Sequence, residues 1–344
     1  FYTIDAATAA QEIGLGNRTN MVTQTAFFKL TEVIPFEDAV RFLKAAIKKT
    51  YGRKGDAVVN MNNEAVDKAV EILYEVQVPD SWKNAEDTAS KGTHCTHEPE
   101  FIRKVFRPML AQAGDKLPVS AFVGLETGAY PSGTTKFEKR MPALFVPEWI
   151  PENCIQCNQC SMVCPHAVIR PFVLDEEEAA NAPKDMTLVD AKGKEFAGMK
   201  FRMQVSPMDC LGCGSCINTC PAKEKALKFA PVEQEADKER DHWIYMTHKV
   251  SNKANLTNTT TSKGVQFKVP LLEFSGACAG CGETPYAKLI TQFFGDRMMI
   301  ANATGCSSIW GAPAPSLAYT TNAKGQGPAS VSYTHLRAHE TPEH

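Results

Sequence analysis

The 344-residue sequence has no excess of either charge: 37 Lys and Arg stand against 39 Asp and Glu, a formal net charge of −2. The broad basic field of a nucleic-acid-binding protein is therefore missing. No apolar run approaches the ~18 residues that a membrane span requires. The opening residues, Phe1-Tyr2-Thr3-Ile4-Asp5, contain neither Met nor the basic-then-apolar order of a signal peptide, and read as the interior of a longer polypeptide. Cysteine is absent before Cys95, which is the first of twelve. Twelve is far below the ~8–10% of a small disulfide scaffold, and eight of them fall in two short runs. Such placement argues for metal or redox chemistry in a reducing, cytoplasmic compartment, and against secreted disulfides.

Residues 1–76 read as α/β material. Asn20 to Leu30 is mixed in pattern. Phe36, Ala39, Val40, Leu43 and Ile47 form one helical face behind Pro35, with Glu37 and Asp38 suited to its positive end. Gly52 and Gly55 break the chain, and a second helix is expected from about Asn63 through Leu73. Pro79 to Thr96 reads as a connector. The motif His94-Cys95-Thr96-His97 crowds three ligands into a spacing that fits no common zinc site. Phe101 to Phe106 starts a short helix that Pro108 kinks or ends. Phe137-Glu138-Lys139-Arg140 and the acidic run Asp175 to Glu178 both read as solvated surface, and Asp237 to Thr261 as a polar inter-domain linker.

The two cysteine runs carry the chemistry. Cys154-x2-Cys157-x2-Cys160-x3-Cys164-Pro165 is followed, 56 residues on, by Cys210-x2-Cys213-x2-Cys216-x3-Cys220-Pro221. Both match the bacterial ferredoxin pattern for [4Fe–4S] clusters, in which the fourth cysteine of each run serves the other cluster. Cys154, Cys157, Cys160 and Cys220 are thus expected on one cluster, and Cys210, Cys213, Cys216 and Cys164 on the other. The fourth cysteine is expected to leave on the start of a helix. Gly212 and Gly214 are expected to let backbone amides approach sulfur closely. Zinc ribbons use two separated Cys-x2-Cys pairs, so the spacing disfavours zinc.

A third group follows at Cys278-Ala279-Gly280-Cys281-Gly282-Glu283-Thr284-Pro285, with Thr284 as a helix N-cap and Pro285 as its first helical residue. A helix through Phe294 and a short strand from Met298 to Ala301 come next, then Cys306. A Gly-rich loop at a helix N-terminus suits an anionic group. Cys278, Cys281 and Cys306 alone leave three readings open: a redox-active pair, an incomplete zinc site, or a third cluster completed from outside this chain.

The stretches Gln11–Gln24, Gly114–Ala121, Phe137–Arg140, Val146–Cys164, Phe274–Tyr286 and Ala301–Ala312 resemble the single-chain, thiamine-diphosphate-dependent pyruvate:ferredoxin (flavodoxin) oxidoreductases. The resemblance covers residues 1–329. It implies a multidomain α+β chain with a two-[4Fe–4S] ferredoxin-like domain lying between a truncated α/β 2-oxoacid oxidoreductase domain and the start of a thiamine-diphosphate-binding α/β domain. The implied divisions are 1–78, an FEKR-bearing linker domain at 79–145, the two-cluster domain at 146–235, a linker at 236–265, and 266–329.

The implied reaction is oxidation of pyruvate with coenzyme A to acetyl-CoA and CO2, with electrons passing singly through three [4Fe–4S] clusters to ferredoxin or flavodoxin. Cys278, Cys281 and Cys306 match ligands of the third cluster, whose fourth ligand lies outside this sequence. Glu283 and Cys306 match positions that touch thiamine diphosphate. The main catalytic glutamate and the Mg2+-binding segment also lie outside, so the chain alone is expected not to turn over pyruvate. A homodimer is implied, with no nucleic-acid or membrane partner. A ferredoxin-type electron carrier and an enzyme for another 2-oxoacid are the alternatives. Val331 to Thr341 departs from the family pattern and matches the translation of a common transposase adapter, so 330–344 is expected to be read-through.

Overall fold

A computed structural model of the chain describes every residue except Asn17, 85–97, Ala303, Thr304, Ala312 and 332–344. His94 to His97, with Cys95, and nearly all of the adapter-like tail lie outside the described residues. The chain divides into two units, residues 1–94 and 95–344.

The first unit is helical, not α/β. Among its described residues the only strands are β1 (Tyr2–Thr3) and, near its far end, a partner of equal length that pairs antiparallel with it. Between them run α1 (Ala6–Glu12), α2 (Asn20–Thr31), α3 (Phe36–Tyr51) and α4 (Asp56–Glu71), and the closing strand is β2 (Tyr74–Glu75). The mixed pattern of α2 resolves as a helix because Met21, Val22, Thr25 and Ala26 fall on one buried stripe. Its threonines lose little there: Thr25 and Thr31 donate their hydroxyls to the carbonyls of Met21 and Phe27, four residues back. In α3, Ala39 and Ile47 are buried as the periodicity requires, and Val40 and Leu43 pack beside them. Helix α4 begins at Asp56, a full two turns before the expected Asn63. Gly55, at φ +97°, sets the N-cap, a conformation that excludes most other residues. Leu15, Val22, Ile47, Ala65, Val66 and Ala69 form the core.

The second unit mixes helices and strands. A π-turn over Ile102–Phe106 runs into α5 (Arg107–Leu110). Pro108 lacks the N–H that would bond to the carbonyl four residues back, and the widened turn absorbs its ring, so the helix deforms instead of ending. Strand β3 (Phe145–Trp149) leads to the first cysteine run, whose helix is α6 (Gln159–Val163). The chain continues through β4 (Ile169–Leu174), α7 (Glu176–Ala180), β5 (Val189–Asp190) and β6 (Lys200–Val205). The second run carries α8 (Ser215–Thr219), followed by β7 (Leu227–Pro231) and α9 (Val232–His248). After α10 (Ser262–Val265) come α11 (Thr284–Phe294), β8 (Met299–Ala301), α12 (Cys306–Gly311) and β9 (Ala329–Val331). Strands β3 and β7 pair antiparallel from Phe145↔Pro231 to Trp149↔Leu227. A separate antiparallel sheet has the order β4-β6-β5, and β8 pairs parallel with β9.

Two polar stretches differ from their sequence reading. Asp237 to Thr261 is not an extended linker. Its first half, as far as His248, belongs to α9, which packs on β3, β6 and β7 and buries Val232, Ala236, Trp243 and Met246. The polarity misleads because Glu235, Glu239 and His242 share that buried face. Glu239 takes both carboxylate bonds from Arg202 Nη2 (2.7 and 2.8 Å) and another from Gln204 Nε2 (2.6 Å). Burial would raise its pKa, but His242, Arg202 and Gln204 pull it down to about 2. The acidic run is not merely solvated either. Asp175 and Glu178 form a capping box at α7. Glu178 also accepts from Lys253 Nζ (2.8 Å) and from Ser251, tying α7 to the segment after α9. No helix among the described residues is long and apolar enough to cross a membrane.

Candidate metal centres

The thiols of the two runs gather across the repeat. Cys154, Cys157, Cys160 and Cys220 line one concavity together with Trp149, Met203 and Leu227. Burial pushes the Cys160 thiol well above the ordinary range, and the neighbouring Cys154, Cys157 and Cys220 push it further. Burial likewise raises Cys216, which feels Cys164, Cys210 and Cys213. Cys210 is raised to about 12 by burial, with Cys164 and Cys213 adding to the rise. Cys164 therefore stands among the thiols of the second run, and Cys220 among those of the first. Among the described residues no three His, Cys, Asp or Glu side chains are close enough to grip a single ion.

Two further observations fit that donor set. The amide N–H groups of Gly212 and Ala226 point at Cys210 Sγ (3.4 Å) and Cys220 Sγ (3.5 Å). The indole N–H of Trp149, whose side chain lines the first concavity, is buried without a hydrogen-bond partner. Bare buried thiols hold their protons, so filling such a site releases them.

The duplication reaches the backbone. Gln156 (φ 57°) and Asn158 (φ 61°) in the first run occupy the left-handed conformation of Gly212 (φ 63°) and Gly214 (φ 74°) in the second. Gly212 is required for space as well as for φ, since a Cβ there would stand 2.9 Å from the Phe145 carbonyl oxygen. The first run uses side chains instead. Gln156 donates to Asp190 O (2.8 Å) and accepts from Lys192 N (2.7 Å), and Asn158 donates to Lys263 O (3.0 Å). These bonds hold β5 and α10 against the first loop. The fourth cysteines differ from expectation in one detail. Cys164 and Cys220 lie at the C-caps of α6 and α8, so a helix delivers each of them instead of starting with it.

The FEKR segment also differs from a solvated cluster. Lys139 pairs with Asp209, whose side chain is 4% exposed and which directly precedes Cys210. Burial pushes the Asp209 carboxyl up while Lys139 pulls it down. Met141 N donates to Met208 O (2.9 Å) on the same loop. Upstream, the side chains of Thr134 and Thr135 are set against the later segment: Leu317 N donates to Thr134 Oγ1 (2.7 Å), and Thr135 Oγ1 donates to Glu273 O (3.0 Å). The sequence gives no sign of these contacts, because the partners are 70 to 183 residues away.

The third cysteine group is more open. Cys278 and Cys306 are exposed and Cys281 is half-buried. Burial would raise the Cys281 thiol, but the amides of Thr284 and Glu283 lower it. Glu283, not Thr284, is the N-cap of α11, so Pro285 stands second in the helix. Trp310 Nε1 donates to Glu283 Oε2 (3.3 Å), joining this loop to α12, which Cys306 begins. The loop rests on the dicluster region. His166 Nδ1 and Nε2 lie 3.0 and 3.3 Å from the Ser275 and Cys278 carbonyls, and a Cβ on Gly280 would touch Cys213 Cβ at 3.6 Å. Behind it, α11 buries a polar stripe of Thr284, Lys288, Thr291 and Gln292. Lys288, 2% exposed, donates from Nζ to the carbonyls of Ser161, Met162 (3.2 Å) and Cys164 (3.2 Å). Burial lowers its pKa to about 8. Nothing in the sequence marked it.

Comparison with known proteins matches residues 1–72 to a model described as pyruvate ferredoxin/flavodoxin oxidoreductase, 88–143 to EKR, a domain of unknown function, and 153–224 to a 4Fe-4S dicluster domain. Pyruvate:ferredoxin oxidoreductase of Moorella thermoacetica is 56% identical over 96% of this chain and 28% of its own length. Pyruvate-flavodoxin oxidoreductase of Enterobacter agglomerans is 53% identical over 95% of the chain and 27% of its own length. The mitochondrial pyruvate dehydrogenase [NADP(+)] of Euglena gracilis is 50% identical over 96% of the chain and 18% of its own length. The chain thus spans between 18% and 28% of the length of these curated relatives. Along nearly all of its length it is a homologue of the pyruvate:ferredoxin and pyruvate-flavodoxin oxidoreductases, with their oxidoreductase domain and a 4Fe-4S dicluster domain.

Proposed function

We propose that this chain is the electron-carrying stretch of an enzyme that oxidises pyruvate with coenzyme A to acetyl-CoA and CO2 and delivers the electrons to ferredoxin or flavodoxin. The observation that carries the reading is the exchange of Cys164 and Cys220 between the two runs. In this reading Cys154, Cys157, Cys160 and Cys220 hold one [4Fe–4S] cluster, and Cys210, Cys213, Cys216 and Cys164 hold the other. When bound, the clusters supply one-electron transfer, which splits a two-electron oxidation into single steps. The protein's part is to bind through thiolates, to aim the Gly212 and Ala226 amides at sulfur, and to keep water out with Trp149, Met203 and Leu227.

Cys278, Cys281 and Cys306 would supply three ligands of a third cluster, and Glu283 and Cys306 would face thiamine diphosphate, whose Mg2+-binding segment lies outside this sequence. The Glu283–Trp310 bond supports this reading by fixing the carboxylate beside the helix that Cys306 begins. The contact of Gly280 with Cys213 supports an order in which electrons leave the third site through the Cys210 quartet and then reach the Cys154 quartet. A cytoplasmic homodimer is the proposed setting. The test is anaerobic reconstitution of the chain, with iron assay and EPR. The expected result is about eight tightly held irons in two clusters, with any third cluster absent or labile. Three intact clusters, or none, would refute the ligand assignment.

A further inference from the structure

Lys288 is a buried cation without a buried anion to match it. Among the described residues no carboxylate forms an ion pair with it. Its charged surroundings are Cys164, Arg170 and Cys160. Arg170 is already matched, because it bonds Glu273 Oε2 at 2.5 Å. An ammonium removed from water costs several kcal/mol unless hydrogen bonds and counter-charge compensate it. Hydrogen bonds are present: the three carbonyls of Ser161, Met162 and Cys164 match its three donors. The sulfurs that face it are those of Cys164 and Cys160, which belong to different quartets and carry negative charge once they ligate a cluster. The lysine therefore sits where the chain passes from one quartet to the other, on the helix that also begins at the third cysteine loop.

We propose that Lys288 is a positioning residue that serves as counter-ion to the two clusters and holds up their reduction potentials, chiefly that of the cluster ligated by Cys164. This rests on the cluster assignment given above. Each reduction adds one negative charge to a cluster. A fixed cation nearby stabilises the reduced form more than the oxidised form, so the potential rises, and a buried cation acts with little solvent screening. The same hydrogen bonds fix the C-terminal end of α6, and with it the direction from which Cys164 enters the second quartet.

The test uses the full chain, reconstituted anaerobically, with potentiometric titration followed by EPR. Lys288→Gln and Lys288→Met remove the charge, and the former keeps a donor. Lys288→Arg keeps the charge. With the iron content equal to that of the unaltered chain, either neutral variant is expected to move at least one reduction wave to more negative potential. Lys288→Arg is expected to restore most of that shift. Unmoved waves in iron-replete neutral variants would overturn the proposal. So would loss of iron from both neutral variants alike, since that would assign Lys288 a folding role only. Failure of the unaltered chain to hold clusters would refute the function proposed above, and so is distinguishable from failure of the lysine's role.

Discussion

The two thiol quartets and the Cys278 group are built on similar loops but sit in opposite surroundings. Cys164, Cys210, Cys216 and Cys220 are buried, and each quartet is closed by a thiol carried over from the other run. Cys278 and Cys306 are exposed, and no described cysteine closes their set. A Gly-rich loop with amides aimed at sulfur is present in both places, at Gly212 and at Glu283. The loop can orient thiolates, but it does not by itself bury them. Trp149, Met203 and Leu227 on paired strands enclose the Cys154 quartet, and α6 and α8 of the two runs pack on each other. Firm cluster binding should follow that enclosure more than the Cys-x2-Cys spacing.

The largest effects should come from the thiols themselves. Cys216→Ala is expected to cost the chain about half of its iron, while Cys278→Ala should leave the tightly bound iron unchanged; iron assay and EPR on anaerobically loaded samples compare them. Equal losses would erase the distinction drawn between the two kinds of site.

The next effect concerns the walls. Glu239→Ala leaves Arg202 buried without its carboxylate and should destabilise the unit by about 3–5 kcal/mol. An Arg202→Met, Glu239→Gln pair should lose much less, as read by thermal unfolding under identical cluster loading. The pH dependence has a definite sign. Glu239 is held at about 2, below its unfolded value, so its contribution is complete above the ordinary glutamate pKa and fades as pH falls toward 2. The stability gap between the unaltered chain and Glu239→Gln should therefore narrow as pH drops through that window. A gap that stays constant would contradict the buried pair.

A smaller effect sharpens the comparison between the runs. Gly212→Ala meets both a left-handed φ and the Phe145 carbonyl, and should cost about 1–3 kcal/mol. Asn158→Gly accepts the same backbone freely and loses only one bond to Lys263 O, about 1 kcal/mol. The two are distinguished by denaturant midpoints. A larger loss at Asn158 would show that the side-chain clamp, not the backbone, sets the loop.

These contrasts explain what the sequence could reveal. The eight thiols were legible because their ligand spacing is local, and the exchange of Cys164 and Cys220 follows from a known pattern. Helix α3 was legible from its apolar period. Helix α9 was not, since Glu235, Glu239 and His242 occupy its buried face, and Glu239 and His242 find partners on β6 that no local pattern encodes. Lys139 and Lys288 were missed for the same reason. Each is a charged residue whose burial depends on a partner far along the chain, Asp209 for one and the end of α6 for the other. Helix α4 began early because Gly55, read only as a breaker, is also an N-cap.

The central claim is the crossing of the fourth cysteines, and paired alanine substitutions test it most directly by iron content. Cys154→Ala with Cys220→Ala strikes one quartet and should leave about half of the iron, whereas Cys154→Ala with Cys164→Ala strikes both and should leave almost none. The opposite ranking, with the Cys154, Cys164 pair keeping half and the Cys154, Cys220 pair losing all, would contradict the account.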